Sequence, residues 1–161
     1  MRGFLPFILL VLVHIPIASH AAAIHDAATK GDVAAITAAL DAGAGVDESD
    51  GKATPLYLAV KGGHFEAAKM LIERGADVNA VPTPLLGPAI MPALAKRRID
   101  LIKLLLDAGA NPNSKRSREN AIHIAVNLGC LDCVKALVEA GADVNAKTKD
   151  GKTPLLSLIH I

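Results

Sequence analysis

Tryptophan is absent from the 161 residues, and the aromatic complement is Tyr57 with Phe4, Phe7 and Phe65. So few rings exclude a stacking platform for single-stranded bases. Cysteine occurs only as Cys130 and Cys133, too few for a disulfide-stapled scaffold, and no histidine stands at zinc-ligand spacing from them. No charge sign dominates: 17 basic side chains face 16 acidic ones. A chain without a broad positive field does not gather polyanions, so nucleic acid is not the expected partner. Also lacking are a Gly-x-Ser-x-Gly elbow, a Gly-rich phosphate loop and a metal-ligand helix, so no residues offer themselves for catalysis and no cofactor or metal is expected.

The first residues are of a different kind. Arg2 precedes an apolar run from Phe4 to Val13 that continues past His14 to Ala18, and small residues follow in Ser19-His20-Ala21 and Ala21-Ala22-Ala23. Charge, apolar stretch and a small-x-small site in that order predict a secretory signal peptide over 1–21, with residues 22–161 as the mature domain. The uninterrupted apolar part falls short of the roughly 20 residues that span a hydrocarbon core, and Pro16 disfavours a continued helix. A retained membrane anchor is the alternative. Arg2 is the one charged side chain within 1–21, so cleavage leaves sixteen basic against sixteen acidic residues. The expected location is secreted or periplasmic, or membrane-anchored if the segment stays.

Repetition organises the rest. Thr54-Pro55-Leu56-Tyr57-Leu58-Ala59 returns 66 positions later as Asn120-Ala121-Ile122-His123-Ile124-Ala125, and its opening triplet returns after another 33 as Thr153-Pro154-Leu155. A second phrase, Glu73-Arg74-Gly75-Ala76-Asp77-Val78-Asn79-Ala80, reappears as Glu139-Ala140-Gly141-Ala142-Asp143-Val144-Asn145-Ala146, with a looser copy in Asp107-Ala108-Gly109-Ala110-Asn111-Pro112-Asn113. A period of about 33 residues carrying T-P-L-H-x-A resembles the ankyrin-repeat family from about Ile24 to Leu155. The resemblance implies an all-α solenoid of stacked helix-turn-helix units joined by β-hairpin-like loops. Its units are expected at about 24–46, 50–80, 84–113 and 117–146, with a truncated one at 150–161.

Local chemistry agrees. Thr54 suits the N-cap of a first helix and Pro55 its first position. Gly62-Gly63 divides that helix from a second over about 65–73, and Gly75, Gly109 and Gly141 are placed to end second helices in a left-handed conformation. Small Ala59, Ala67 and Ala68 admit close helix approach, while Leu71 and Ile72 fill the space between units. Asp26, Lys30, Asp32 and Thr37 give the first unit the polar character of a cap. The third unit departs from the pattern, with Pro88-Ala89-Ile90 in the Thr-Pro-Leu slots and Pro82, Pro84 and Pro92 around them. Pro92 falls in the first turn or just after it, so a lost cap, and a missing helical hydrogen bond if it lies past that turn, predict a weak joint at a cost on the order of 1–3 kcal/mol. A bend or an adapted binding loop is one reading of this unit; drift compensated by Leu101 to Leu106 in the second helix is the other. At the far end, residues 156–161 look like translated sequencing adapter, so the natural chain is expected to continue past Leu155.

Cys130-Leu131-Asp132-Cys133 falls at the start of a second helix, where partial positive charge favours a thiolate. Structural packing or a disulfide is one reading; thiol exchange or a metal-responsive role is the other. His123 fills the motif's histidine slot and His64 the opening of a second helix, for which the resemblance implies hydrogen-bonding roles in the fold. His25 lies in the capping unit. The family's partners are other proteins, met by hairpin tips and inner helices. Carried over by position, that surface comprises Ser49, Asp50 and Lys52 at one tip; Lys115, Arg116 and Arg118 at another; Lys147 and Lys149 at the next; and Lys61 and Asn127 on inner helices. The first tip is acidic (Asp47, Glu48, Asp50) and the later ones basic, a polarity that would orient a partner.

Overall fold

The computed structural model describes residues 17–117 and 119–154. The expectations for 1–16, Arg118 and 155–161 lie outside the described residues. Helices come in pairs: α1 (Ile17–Lys30) with α2 (Val33–Asp41), α3 (Pro55–Gly62) with α4 (Phe65–Glu73), α5 (Ile90–Ala95) with α6 (Ile99–Asp107), and α7 (Ala121–Asn127) with α8 (Leu131–Glu139). The first helices pack in one row, α1 on α3 on α5 on α7, and the second helices in another, α2 on α4 on α6 on α8. A two-residue antiparallel ladder of β1 (Lys115–Arg116) and β2 (Glu119–Asn120) forms the tip before α7, pairing Lys115 with Asn120 and Arg116 with Glu119. The described chain is therefore a mostly helical stack of paired helices.

The sequence dictates these elements locally. Thr54 is extended (φ −90°, ψ 158°) and its hydroxyl accepts from the Tyr57 amide at 3.3 Å, while Pro55 opens α3. Thr54→Ala should lower the unfolding free energy by about 1 kcal/mol, read as a shift in the urea midpoint. Asn120 holds the matching backbone conformation ahead of α7, yet its side chain makes no cap bond. Asp32 caps α2 through the Ala35 amide (3.0 Å). Gly75, Gly109 and Gly141, at φ of +90°, +87° and +91°, turn the chain out of the second helices.

The core runs along the stack. Ile24, Ile36, Leu56, Leu71, Ile90, Leu94, Leu101, Leu105 and Leu137 are fully buried, and Ala28, Ala59, Ala67, Ala93 and Ala125 let the helices close up between them. Within residues 21–24 of α1, Ala22 and Ala23 are exposed and Ile24 is buried. The third unit is less compromised than its prolines suggest. Pro92 is the third residue of α5, and the carbonyl its amide would have used, that of Pro88, accepts from Met91 instead (3.0 Å). A first-turn position leaves no helical bond to lose. The cap is lost as expected, since Ala89 stands at the N-cap with nothing to offer. Ile90, Met91, Pro92, Ala93 and Leu94 are all buried, which compensates by packing.

Candidate partner-binding face

Two sets of side chains lock unit to unit and so fix the geometry of the outer face. On the turn side, residues opening the second helices reach back: His64 Nε2 to the Thr29 carbonyl (3.0 Å) and Arg98 Nη1 to the Gly63 carbonyl (2.8 Å). Arg98 is itself held by Asp100 through two bonds of 2.9 and 2.6 Å, which keep the Asp100 carboxyl below the usual aspartate range. Cys130 occupies the corresponding slot before α8 but bonds Cys133 Sγ within its own unit, so the third junction has no such link. Histidines of the first helices reach forward. His25 Nε2 meets the Ala53 carbonyl and His123 Nε2 the Lys152 carbonyl, both at 3.1 Å, and a carbonyl only accepts, so these nitrogens carry the protons. Position matching had placed His25 merely in the capping unit; its recurrence 98 residues before His123 was the signal for their shared role.

On the tip side, carboxylates and amides of one unit hold the backbone of the next. Asp47 accepts the Asp77 amide through both oxygens (3.0 and 3.1 Å). Asn79 accepts the Asn111 amide (2.8 Å) and donates to the Gly109 carbonyl (3.0 Å); Asn113 repeats this with the Asp143 amide (2.7 Å) and the Gly141 carbonyl (3.3 Å). Residue type and spacing did not disclose this ladder, although the Asx-x-Asn phrase that recurs in the sequence carries it.

The acidic tip is largely committed to its own fold. Ser49 Oγ accepts from the Gly51 amide (3.2 Å), Glu48 accepts from Gly45 (3.2 Å), and Asp50 accepts from Lys52 and Ala53 (2.8 and 2.9 Å). The bonds from Ala53 and Lys52 hold the Asp50 carboxyl below its ordinary range. Ser49 and Asp50 thus shape the turn while remaining exposed, as is Lys52. Lys61, Lys115, Arg116, Lys147 and Lys149 are exposed, and none of them is in an ion pair among the described residues. Asn127 is exposed and donates to Glu119 (3.2 Å), tying the end of α7 to the hairpin. Burial pushes the Tyr57 phenol up, and the Arg116 charge pulls part of that back.

Cys130 and Cys133 are bonded across a Cα separation of 5.2 Å, and Cys130 Sγ also accepts the Cys133 amide at the start of α8. Cys133 is fully buried. Substituting both by serine opens a four-residue loop and should cost about 2 kcal/mol of unfolding free energy by the chain-entropy account, measured by urea titration. No group of three metal-ligating side chains occurs among the described residues.

A family model described as ankyrin repeats (3 copies) matches residues 7–81 and 88–159. A putative ankyrin repeat protein of Rickettsia felis is 38% identical over 72 residues, 45% of this chain and 32% of that protein. The B-cell lymphoma 3 protein homolog of Mus musculus is 34% identical over 104 residues, 64% of this chain and 23% of the relative. A putative ankyrin repeat-containing protein of Treponema pallidum is 37% identical over 98 residues, 60% and 33% of the two chains. The chain thus spans about a third or less of the length of these relatives. With paired helices stacked in two rows, and a family match over most of its length, the chain belongs to the ankyrin-repeat family.

Proposed function

We propose that this chain is a non-enzymatic protein-binding scaffold of an exported compartment, gripping its partner by hairpin tips and inner helices. Ankyrin repeats typically bind proteins, and one observation supports the assignment to this face: the exposed Lys115, Arg116, Lys147 and Lys149, in no ion pair among the described residues, follow turns that Asn79 and Asn113 anchor to the preceding unit. Pre-organised tips reduce the entropy lost on association. Export is supported by the order of residues in 1–23. The bonded cysteine pair also suits an oxidising location. No described helix is long and apolar enough to cross a membrane.

Cross-linking in the native exported fraction tests the reading. Contacts should fall on Lys52, Lys115, Lys147 and Lys149, and capture should end when Arg116 and Arg118 are reversed in charge. Contacts confined to Lys69 and Lys103 on the second helices would overturn it. The mass of the exported protein decides between cleavage after residue 21 or 23 and a retained tether. A second reading, thiol exchange at Cys130 and Cys133, is favoured by their bond at a helix start; partner capture unchanged in the double-serine variant under oxidising and reducing conditions would dismiss it.

A further inference from the structure

Between the third unit's altered loop and the hairpin before α7 lies a groove of about 500 Å³ lined by Asn79, Val81, Pro88, Asn111, Ser114 and Lys115. Its walls are pressed together at Gly87, whose Cα approaches so closely that a Cβ there would stand 3.1 Å from the Lys115 carbonyl and 3.3 Å from the Arg116 Cβ. Asn79 has spent its side chain on the neighbouring tip, and the Ser114 hydroxyl donates to the Asn111 carbonyl at 2.6 Å. What the described lining leaves unspent is donors: the Asn111 side-chain NH₂, whose oxygen already accepts from Asn113, and the Lys115 ammonium. Arg116 is the next residue of the strand, exposed, with its Cβ beside Gly87. Of the carboxylates flanking these segments in sequence, Asp77 accepts from the Asn79 amide and Glu119 from Asn127, while Asp107 lines a separate pocket with Lys103 and Glu139. Val81, 54% exposed, gives the groove an apolar margin.

We infer that this groove receives an extended acidic segment of the partner protein, its carboxylates on Lys115 and the Asn111 amide and an aliphatic side chain against the exposed Val81, with the Arg116 charge adding to the positive potential from the next position of the hairpin. The inference rests on the scaffold reading and names the chemistry of its partner. Alternation of acidic and aliphatic residues is what an extended strand presents to a polar floor and an apolar edge. Complementary charge at such a rim sets specificity and association rate. A nucleic acid strand would find the cations but no ring to stack on.

Fluorescence anisotropy with a labelled peptide of alternating Glu and Val tests it, alongside the Gln-for-Glu peptide and a single-stranded oligonucleotide of equal charge. The acidic peptide should bind, and the double variant Lys115→Glu, Arg116→Glu should weaken it at least about tenfold. Lys69→Glu, Lys103→Glu makes the same change of net charge on the exposed faces of α4 and α6, and should leave binding within a factor of about two because screening confines the effect to the groove. Far-UV circular dichroism checks that each variant is folded. No binding of the acidic peptide, equal loss in both double variants, equal binding of the Gln peptide, or equal binding of the oligonucleotide each overturns the inference. If a native partner is captured but its contacts and its loss map to Lys61 or Lys147 rather than to the groove, the scaffold reading stands and the acidic segment falls. Absence of any protein partner instead defeats the scaffold reading itself.

Discussion

Leu105→Ala should reduce the unfolding free energy by about 2–5 kcal/mol, the range for emptying a fully buried leucine site. Leu105 lies on α6 in the third unit, with no exposed surface and with α4 on one side and α8 on the other. A stack of repeats is stabilised chiefly by nearest-neighbour interfaces, so damage at a central unit weakens two of them at once. The urea transition should broaden as well as shift, because units on either side lose their coupling. Val144→Ala is the comparison: Val144 is 49% exposed, whereas Val78 in the same repeat position is 7% exposed. Its effect should stay near or below about 1 kcal/mol. Equal midpoints for the two variants would refute the burial argument.

Gly31→Ala should cost more than an ordinary glycine replacement at a helix exit. Gly31 has φ +73°, and a Cβ there would run into the His64 imidazole, with Nδ1 at 2.5 Å and the His64 Cβ at 2.9 Å. Left-handed backbone alone costs an L-residue roughly 1–2 kcal/mol. Displacing the ring also breaks the His64 bond to the Thr29 carbonyl, worth about 1 kcal/mol more. The total comes to about 2–3 kcal/mol. Gly75→Ala isolates the backbone part, since φ there is +90° and nothing lies within 4 Å of the added methyl. On a His64→Ala background the excess of Gly31→Ala over Gly75→Ala should vanish, because the obstructing ring is gone. Persistence of that excess would show that His64 is not its cause.

The contrast between these sites explains how much of the fold was readable in advance. Thr54, Pro55 and Gly75 act on their own neighbours, so their roles follow from residue type and spacing. The paired helices and the two rows follow from the period. What spacing conceals is which distant backbone group a side chain reaches. Nothing local tells that Asn79 grips the Asn111 amide or that Arg98 stretches to Gly63. Pro92 misled for a related reason, since its cost depends on where α5 begins, a matter of one or two residues. The groove beside Lys115 was illegible because the Pro-rich loop that makes one wall has no copy elsewhere in the chain.

The third junction is fastened differently from the two before it. Asn113 still clasps the next tip, but at the opposite end neither an imidazole nor a guanidinium crosses, since Cys130 is spent on Cys133. At its turn edge that seam is held by the packing of α5 on α7 and α6 on α8 alone, so opening there is expected to swing about the hairpin edge as about a door pin.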